Sequence, residues 1–582
     1  MINNNMGSPV TGEPGSETPC LLQNERGVCV LYKERYLYSK YDPSKSIKNI
    51  ISNLSINPDT LILIFSPVLW YGLEDLLLKL PQDCRIAAIE YDEELFYLAQ
   101  KTLNDIHIES GSDNSNKTVE SLKNNILFFN KNNIKSYLDY INNNHFKKVL
   151  RLDFSGGIYF NRDNFEKIYS VTQSVIDQYL KNKLTLIKFG RLFSKNIFKN
   201  LKQFDTNTFL LQHFEKTIDK PILVLGAGES LNQTIFQLKN ILKTDSADRK
   251  EDSVQNPFFI LAVDQALTPL LENGIKPDAV VAVEAQLAIE KAYIGKSVNS
   301  NIPVFLDLVS RRHVSEILNG KKIFYLSDYS KKEFLKPLSE NKLLGKVIRP
   351  LGSVGLVATE IALFLRKDNQ IPVYISGLDF SYSAGITHAK GTVSHKRQLS
   401  IVTKLKSIFN FEAAFTNGTT FINDKSNNRM ITSASLSNYA KLFTDLYADE
   451  KNIYDSGFSG HNLGLEKKDI QSVQDIQIKN SCTNFYKKLS SEQLKDNSLK
   501  IISGYLENEK KALEILKDIL TFGDESKYRE DKTISLAEQI DALILPREYL
   551  YLHFPDTPEK TNRQSFLNRV RIETDFFLKE LK

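Results

Sequence analysis

The sequence predicts an α/β protein: two doubly wound, Rossmann-like domains followed by a helical C-terminal domain. Three observations predict it. Short, continuous apolar runs alternate with helical stretches from about Asp59 to about Gln212. The same alternation restarts at PILVLGAGESL and runs on to YISGLDF. From about Asp424 the strand signals stop, and charged segments with apolar residues at three- and four-residue spacing replace them. The predicted limits are a disordered leader over 1–25, a first Rossmann-like domain over 26–215, a central α/β domain over 216–423 and a helical domain over 424–582.

Each element has its own signal. GVCVLYKERYLYSKYDPSKS alternates apolar and polar positions, which predicts a short hairpin, and a helix is entered through Asp42 and Pro43. LILIF, from Leu61 to Phe65, has the unbroken apolar character of a strand covered on both faces. GLEDLLLKL reads as a helix, and IAAIE repeats the strand pattern and ends on Glu90. KKVLRLDF and LTLIKF read as two further strands. The Asn-rich stretch between Asn104 and Asn125 reads as a polar loop. FSPVLWYG places Pro67 and Trp70 where a nucleotide-binding turn would carry glycines, so the first domain is expected to hold no nucleotide.

In the central domain FFILAV ends at Asp264, and QALTPLLEN forms a short helix stopped by Gly274. AVVAVEA, IPVFLDL, KIFYLS and PVYISGLDF supply further strands, and VGLVATEIALFLRK supplies a helix. SLKIISGYLENEKKALEILKDILTF and ISLAEQIDALIL are the clearest helices of the last domain.

Composition excludes several classes. Of 582 residues, 41% are hydrophobic and 25% charged, which rules out a wholly disordered chain, a collagen and a disulfide-stapled miniprotein. Lys and Arg number 75 against 70 Asp and Glu, so the chain is close to neutral and no nucleic-acid or membrane partner is expected. The cysteines Cys20, Cys29, Cys84 and Cys482 form no CxxC pair, which gives no zinc site and fits a reducing compartment. The N-terminus lacks the basic start and apolar core of a signal peptide, and no run is long enough to span a membrane. A cytoplasmic location is expected.

Three stretches could carry chemistry. In LVLGAGESL a strand ends at Leu225, and Gly226, Ala227, Gly228 and Ser230 lead into a helix. Glycines let the backbone approach a ligand, and a helix start offers unpaired N–H groups to phosphate. Leu231 stands where the dinucleotide fingerprint wants a third glycine, which disfavours NAD. A tight strand-to-helix turn without a ligand has the same appearance. The acids Asp264, Glu284 and Asp379 end three separate strands, at the edge where open parallel sheets bind ligands. A helix cap also explains Asp264 by itself. In RPLGSVGLVATEIALFL, Gly352 and Ser353 open a second helix, and Arg349 could pair with a carboxylate or phosphate. SGLDFSYSAGITHAKGTVSH gathers Asp379, Tyr382, His388 and His395, and histidine beside acids is a candidate general base. Either histidine alone could be a solvated loop residue. No ligand set demands a metal.

Taken in order, GAGESL, AVDQALTPLLENGIKPDAVVAVEAQ, GSVGLVATEIALFL and YISGLDFSYSAGITHA resemble the central domain of the motility-associated-factor (Maf) flagellin glycosyltransferases, also called MptE-like. YLYSKYDPSKS and the first α/β unit resemble the N-terminal region of the same proteins. The central domain is also similar to bacterial sialyltransferases that use CMP-sialic acid. The resemblance implies transfer of a CMP-activated nonulosonic acid (sialic, pseudaminic or legionaminic type) to Ser or Thr hydroxyls of flagellin, with no cofactor. It implies that Gly226, Gly228 and Ser230 hold the CMP phosphate or ribose. It assigns the sugar carboxylate to Gly352 and Ser353, with Arg349 as a further contact, and puts Asp379 near the nucleotide. His388 is the first choice of base, His395 the second, and Tyr382 the donor to the leaving group. Glu229 departs from the family pattern, which commonly shows proline there. Two other functions fit the sequence. One is a pterin diphosphokinase using ATP, with Asp264 and Asp379 on magnesium. The other is a flagellin-binding chaperone with a degenerate site.

Overall fold

The computed structural model describes residues 18–81, 83–106, 126–144, 146–244, 256–293, 295, 300–329, 333–408, 418–475, 483–528, 534–556 and 563–582. Most of the expected leader and most of the Asn-rich stretch lie outside these residues. The chain divides into two compact units, 1–184 and 185–582.

The first unit opens with an antiparallel sheet of β1 (Cys20–Asn24), β2 (Gly27–Tyr32) and β3 (Arg35–Tyr36). The leader therefore yields a strand at its end. The hairpin and the helix Lys45–Ser52 stand where the sequence puts them. A parallel sheet comes next, made of β4 (Thr60–Phe65), β5 (Arg85–Ile89), β6 (Ile126–Phe129) and β7 (Lys148–Asp153) in the order β6-β5-β4-β7. All six residues of β4 are buried, because helices cover both faces of the sheet. The helix Glu93–Asp105 begins at Asp92, whose carboxylate accepts from the N–H groups of Glu94 and Leu95.

After β4 the chain is strained: Ser66, Val68 and Trp70 have φ of 48°, 23° and 54°. The turn is packed from above, since Tyr38 Oη donates to Pro67 O at 3.3 Å and accepts from Leu69 N at 2.9 Å. Trp70 is buried, with Nε1 donating to Ala99 O at 2.8 Å. The strand-end acid Glu90 is buried under Ser66, whose Oγ donates to it at 2.6 Å.

The run LTLIKF is a correction. It lies inside one long helix, Arg162–Lys202, and forms no strand. A short apolar run has no period of its own, and the helical segments on both sides decide its state.

The second unit is built on a ten-stranded sheet. Its strands are β8 (Thr208–Leu210), β9 (Ile222–Leu225), β10 (Phe259–Val263), β11 (Ala279–Ala282), β12 (Val304–Asp307), β13 (Lys322–Ser327), β14 (Val347–Ile348), β15 (Val373–Ser376), β18 (Ile453–Asp455) and β19 (Glu466–Lys467). The remaining two, β16 (Thr419–Asn423) and β17 (Arg429–Ser433), form a separate hairpin. The main path runs β14-β13-β12-β11-β10-β9-β15-β18-β19, with every pair parallel and β8 beside β13. The sequence predicts no strand beyond residue 424, yet β17 lies there in the hairpin, and β18 and β19 extend this sheet. The last two are three and two residues long, too short to leave a periodic signal.

β9 lies between β10 and β15, and the chain winds away from it in both directions. That makes the β9–β15 boundary a topological switch point, the position at which open parallel sheets bind their ligands. The helices Thr483–Ser491, Asp496–Phe522, Leu536–Ile544 and Arg563–Leu581 come after the sheet, as the sequence predicts. They share its apolar core, through Phe485, Leu513, Leu516, Phe577 and their neighbours. Glu509 is buried among them and accepts from Arg547 at 3.1 Å and Tyr549 at 2.9 Å.

Candidate active site

The switch point carries the two sequence motifs face to face. β9 runs into Gly226–Ser230, and β15 runs into Gly377–Asp379. Gly226 N donates to Ser376 O, and Gly228 N donates to Gly377 O, both at 2.8 Å. The two loops touch backbone to backbone: a Cβ on Gly226 would meet Gly377 O at 2.2 Å, and one on Gly228 would meet Asp379 Oδ2 at 2.5 Å. Space, more than conformation, requires glycine at both positions.

Asp379 closes the arrangement. Its Oδ2 accepts from Ser230 N at 2.8 Å, and its Oδ1 accepts from Ser230 Oγ. Ser230 Oγ in turn accepts from Gly377 N at 3.0 Å. Both side chains are buried. Burial lifts the Asp379 carboxyl to about 6, against the hydrogen bonds from Ser230 and the charge of Lys425. Ser230 and Asp379 hold the loops together, and the Gly226 and Gly228 N–H groups are engaged by β15 and the loop after it.

Glu229 turns away from the bend, and its Oε2 accepts from Ser383 N at 3.3 Å. Tyr382 is buried, and its backbone bridges to Ile431 in the hairpin. Its backbone thus ties the loop after β15 to the hairpin.

His388 stands beside the turn. The next residue, Ala389, donates its N–H to Ala227 O at 2.9 Å, and Lys390 N donates to Asn232 Oδ1 at 2.9 Å. His388 Nδ1 lies 3.1 Å from Thr387 Oγ1, which accepts from Gln398 Nε2 at 2.6 Å. Gln398 and His395 share the helix Val393–Ser400, one turn apart, and Ser394 Oγ reaches Gln265 Oε1 at 3.4 Å. His395 Nδ1 is enclosed without a partner. Burial pushes both imidazoles below the ordinary histidine value, and Lys390 adds to this at His395. Both rings are therefore neutral, and able to accept a proton, at neutral pH.

The second helix start, at Val354, lies against the same loop, since a Cβ on Gly355 would meet Leu378 Cδ2 at 2.2 Å. Ser353 makes no side-chain cap bond, and Gly352 sits at φ 70° under the ring of Tyr439. Arg349 is half exposed and 3.8 Å from Glu360. Of the other strand-end acids, Glu284 is exposed and accepts from Gln286 N at 3.0 Å. Asp264 is buried, and its Oδ1 accepts from Gln265 N at 2.6 Å. Burial raises Asp264 from its ordinary 3.8 to about 7; the Gln265 N–H opposes the rise and the charge of Glu284 adds to it.

A raised carboxyl stabilises the fold fully below its ordinary value, and that contribution is lost as pH climbs through the raised one. Asp264→Asn keeps an acceptor for Gln265 and has no proton to lose. Between about pH 4 and pH 7 its urea midpoint should fall less than that of the unchanged protein. Parallel curves for the two proteins would contradict a neutral, buried Asp264.

Three groups at the site escape a reading of the sequence. Lys425 Nζ pairs with Asp455 at 2.9 and 2.7 Å, both side chains being buried. A Cβ on Gly457 would lie 2.9 Å from that ammonium and 3.3 Å from Ser230 Oγ, so the pair adjoins the Ser230–Asp379 clasp. His461 N donates to Asp379 O at 2.8 Å, and its Nε2 faces Thr432 Oγ1 at 3.2 Å. Asp455 ends a strand, as the other acids do, and His461 sits among glycines in GFSGHNLG. Those signals are present in the sequence, but they lie beyond residue 424, where the longer strand runs have stopped. Among the described residues no cluster of three or more His, Cys, Asp or Glu could hold a metal ion, and no helix is long and apolar enough to cross a membrane.

Comparison with known proteins gives a family model, a relative and a solved structure that this chain resembles. Residues 193–385 match the family model described as 6-hydroxymethylpterin diphosphokinase MptE-like. An uncharacterized protein of Treponema pallidum (strain Nichols) is 29% identical over 591 residues, covering 98% of this chain and 96% of the relative. The solved structure of a MAf glycosyltransferase from Magnetospirillum magneticum AMB-1 matches with a TM-score of 0.53 at 11% identity, over 97% of this chain and 91% of that one. The matched span holds the glycine turn, the second helix start and Asp379, and it ends just before His388. Residues 193–385 are thus similar to the MptE-like family, and the chain as a whole shares the fold of the MAf glycosyltransferase structure.

Proposed function

We propose that the chain is a glycosyltransferase that moves a nonulosonic acid from a CMP donor to Ser or Thr hydroxyls of flagellin, in the cytoplasm and in support of flagellar assembly and motility. The observation that carries this reading is the neutral, half-buried His388 beside the glycine turn at the switch point of a Maf-like sheet. The donor's carboxylate would meet the helix start at Val354, with Gly352, Ser353 and Arg349 on it. In the tautomer with its proton on Nδ1, His388 donates to Thr387 Oγ1 and leaves Nε2 as the base. Nε2 takes the proton of the acceptor hydroxyl, whose oxygen bonds to the anomeric carbon. The bond from that carbon to phosphate breaks, and CMP leaves with the electron pair. Direct displacement inverts the anomeric centre.

The pterin diphosphokinase reading is favoured by the description of the matching family model. Its magnesium site fits poorly, because both Asp379 oxygens already accept from Ser230. The deciding experiment incubates the protein with flagellin and each CMP-nonulosonate and follows flagellin by intact mass. A mass increase equal to one or more sugar residues is expected. Diphosphoryl transfer from ATP to a hydroxymethylpterin, with flagellin unchanged, would replace the proposal.

A further inference from the structure

The helix Val393–Ser400 has no buried residue. The chain leaving it keeps its apolar side chains in water: Leu399 is 49% exposed, Ile401 48%, Val402 39% and Leu405 95%. Four aliphatic side chains within seven residues form a patch of the kind that marks a binding surface. The charge carried along the segment itself has one sign. From His388 to Ile408 the sequence contains Lys390, Lys396, Arg397, Lys404 and Lys406 and no acid. Of these, Lys396 pairs with Glu272. Lys404 and Lys406 flank Leu405 directly and are exposed.

The strip is continuous with the site. Gln398, one residue before Leu399, bonds to Thr387, which bonds to His388. The helix that opens the strip is thereby tied to the loop that carries the imidazole.

We propose that this strip docks the polypeptide acceptor, and that it recognises an exposed segment carrying both aliphatic and acidic side chains next to the modified hydroxyl. The inference rests on the glycosyltransferase reading for its partner, flagellin. Complementary charge sets the encounter and the aliphatic contacts set the lifetime.

The test measures flagellin binding and transfer separately, on the full chain. Lys404→Glu/Lys406→Glu and Leu405→Asp alter exposed positions and should fold as the unchanged protein does. Each should weaken flagellin binding by about tenfold or more. CMP release from the donor to water, without flagellin, should stay within about twofold, because the strip touches only the acceptor. Raising salt should weaken flagellin binding to the unchanged protein and do so less in the double variant. Unchanged flagellin affinity in both variants would overturn the proposal. So would anionic phosphatidylglycerol vesicles, or a second copy of the chain in sedimentation, being the only binding that Leu405→Asp weakens. If flagellin binds and gains no mass with any donor, the glycosyltransferase reading fails, while the docking strip is still judged by the variants' affinities.

Discussion

Replacing His388 by alanine is expected to lower the rate of sugar transfer by about 10²- to 10⁴-fold, the usual worth of a positioned general base. The donor should still bind within a few-fold, because the helix start at Val354 and Arg349 are untouched. The pH profile gives a second readout. Burial holds the imidazole below its ordinary value, so the acid limb of the rate should lie below the range of a solvated histidine. That limb should disappear in His388→Ala. His395→Ala is the control: its ring lies on the neighbouring helix, and a smaller loss is expected. A His388→Ala protein with normal turnover would remove His388 from the mechanism. A larger loss at His395 would exchange their roles.

Much of this site is legible in the sequence, for a physical reason. A buried parallel strand is a run of apolar residues, and at its carboxyl edge the chain must turn through a loop into a helix. Leu223–Leu231 and Tyr374–Phe380 therefore announce themselves, and so does each acid that ends a strand. The roles are less legible than the positions. Ser230 and Asp379 read as ligand contacts, yet they bond to each other. Nothing local in either motif states that the two loops meet, because adjacency of β9 and β15 is a property of the winding. Lys425, Asp455 and His461 stay hidden for a related reason. The strand that ends at Asp455 is too short to show a period, and it joins the sheet through parallel pairing with β15 and β19. LTLIKF shows the opposite failure, a run with the composition of a strand inside a helix of 41 residues.

The largest structural effect is expected from Gly226→Ala. A methyl group there would sit 2.2 Å from Gly377 O, 2.5 Å from Leu378 Cδ2 and 2.6 Å from Gly377 C. Two of these are backbone atoms and cannot swing aside. The reciprocal contact is as tight, since a Cβ on Gly377 would lie 2.3 Å from Gly226 O, and Gly377 has φ of 74° besides. Relief requires moving the end of β9 away from the end of β15. That stretches the 2.8 Å bonds from Gly226 N and Gly228 N, and it pulls Ser230 from Asp379. Asp379 would then be a buried carboxyl without its donors, beside the Lys425–Asp455 pair. Overpacking together with broken buried hydrogen bonds predicts a loss of about 3 kcal/mol or more. The measurement is the urea midpoint, with protection by CMP as the functional readout. Gly504→Ala supplies the contrast. Gly504 lies inside the helix Asp496–Phe522, and a Cβ there meets nothing within 4 Å. The same one-methyl change should stabilise the protein there by about 0.5–1 kcal/mol, through the lower helix propensity of glycine. Opposite signs at the two positions would arise from contact geometry alone. If Gly226→Ala unfolds with the unchanged protein and still gains protection from CMP, the two loops do not meet as described, and the glycine turn has no part in holding the site.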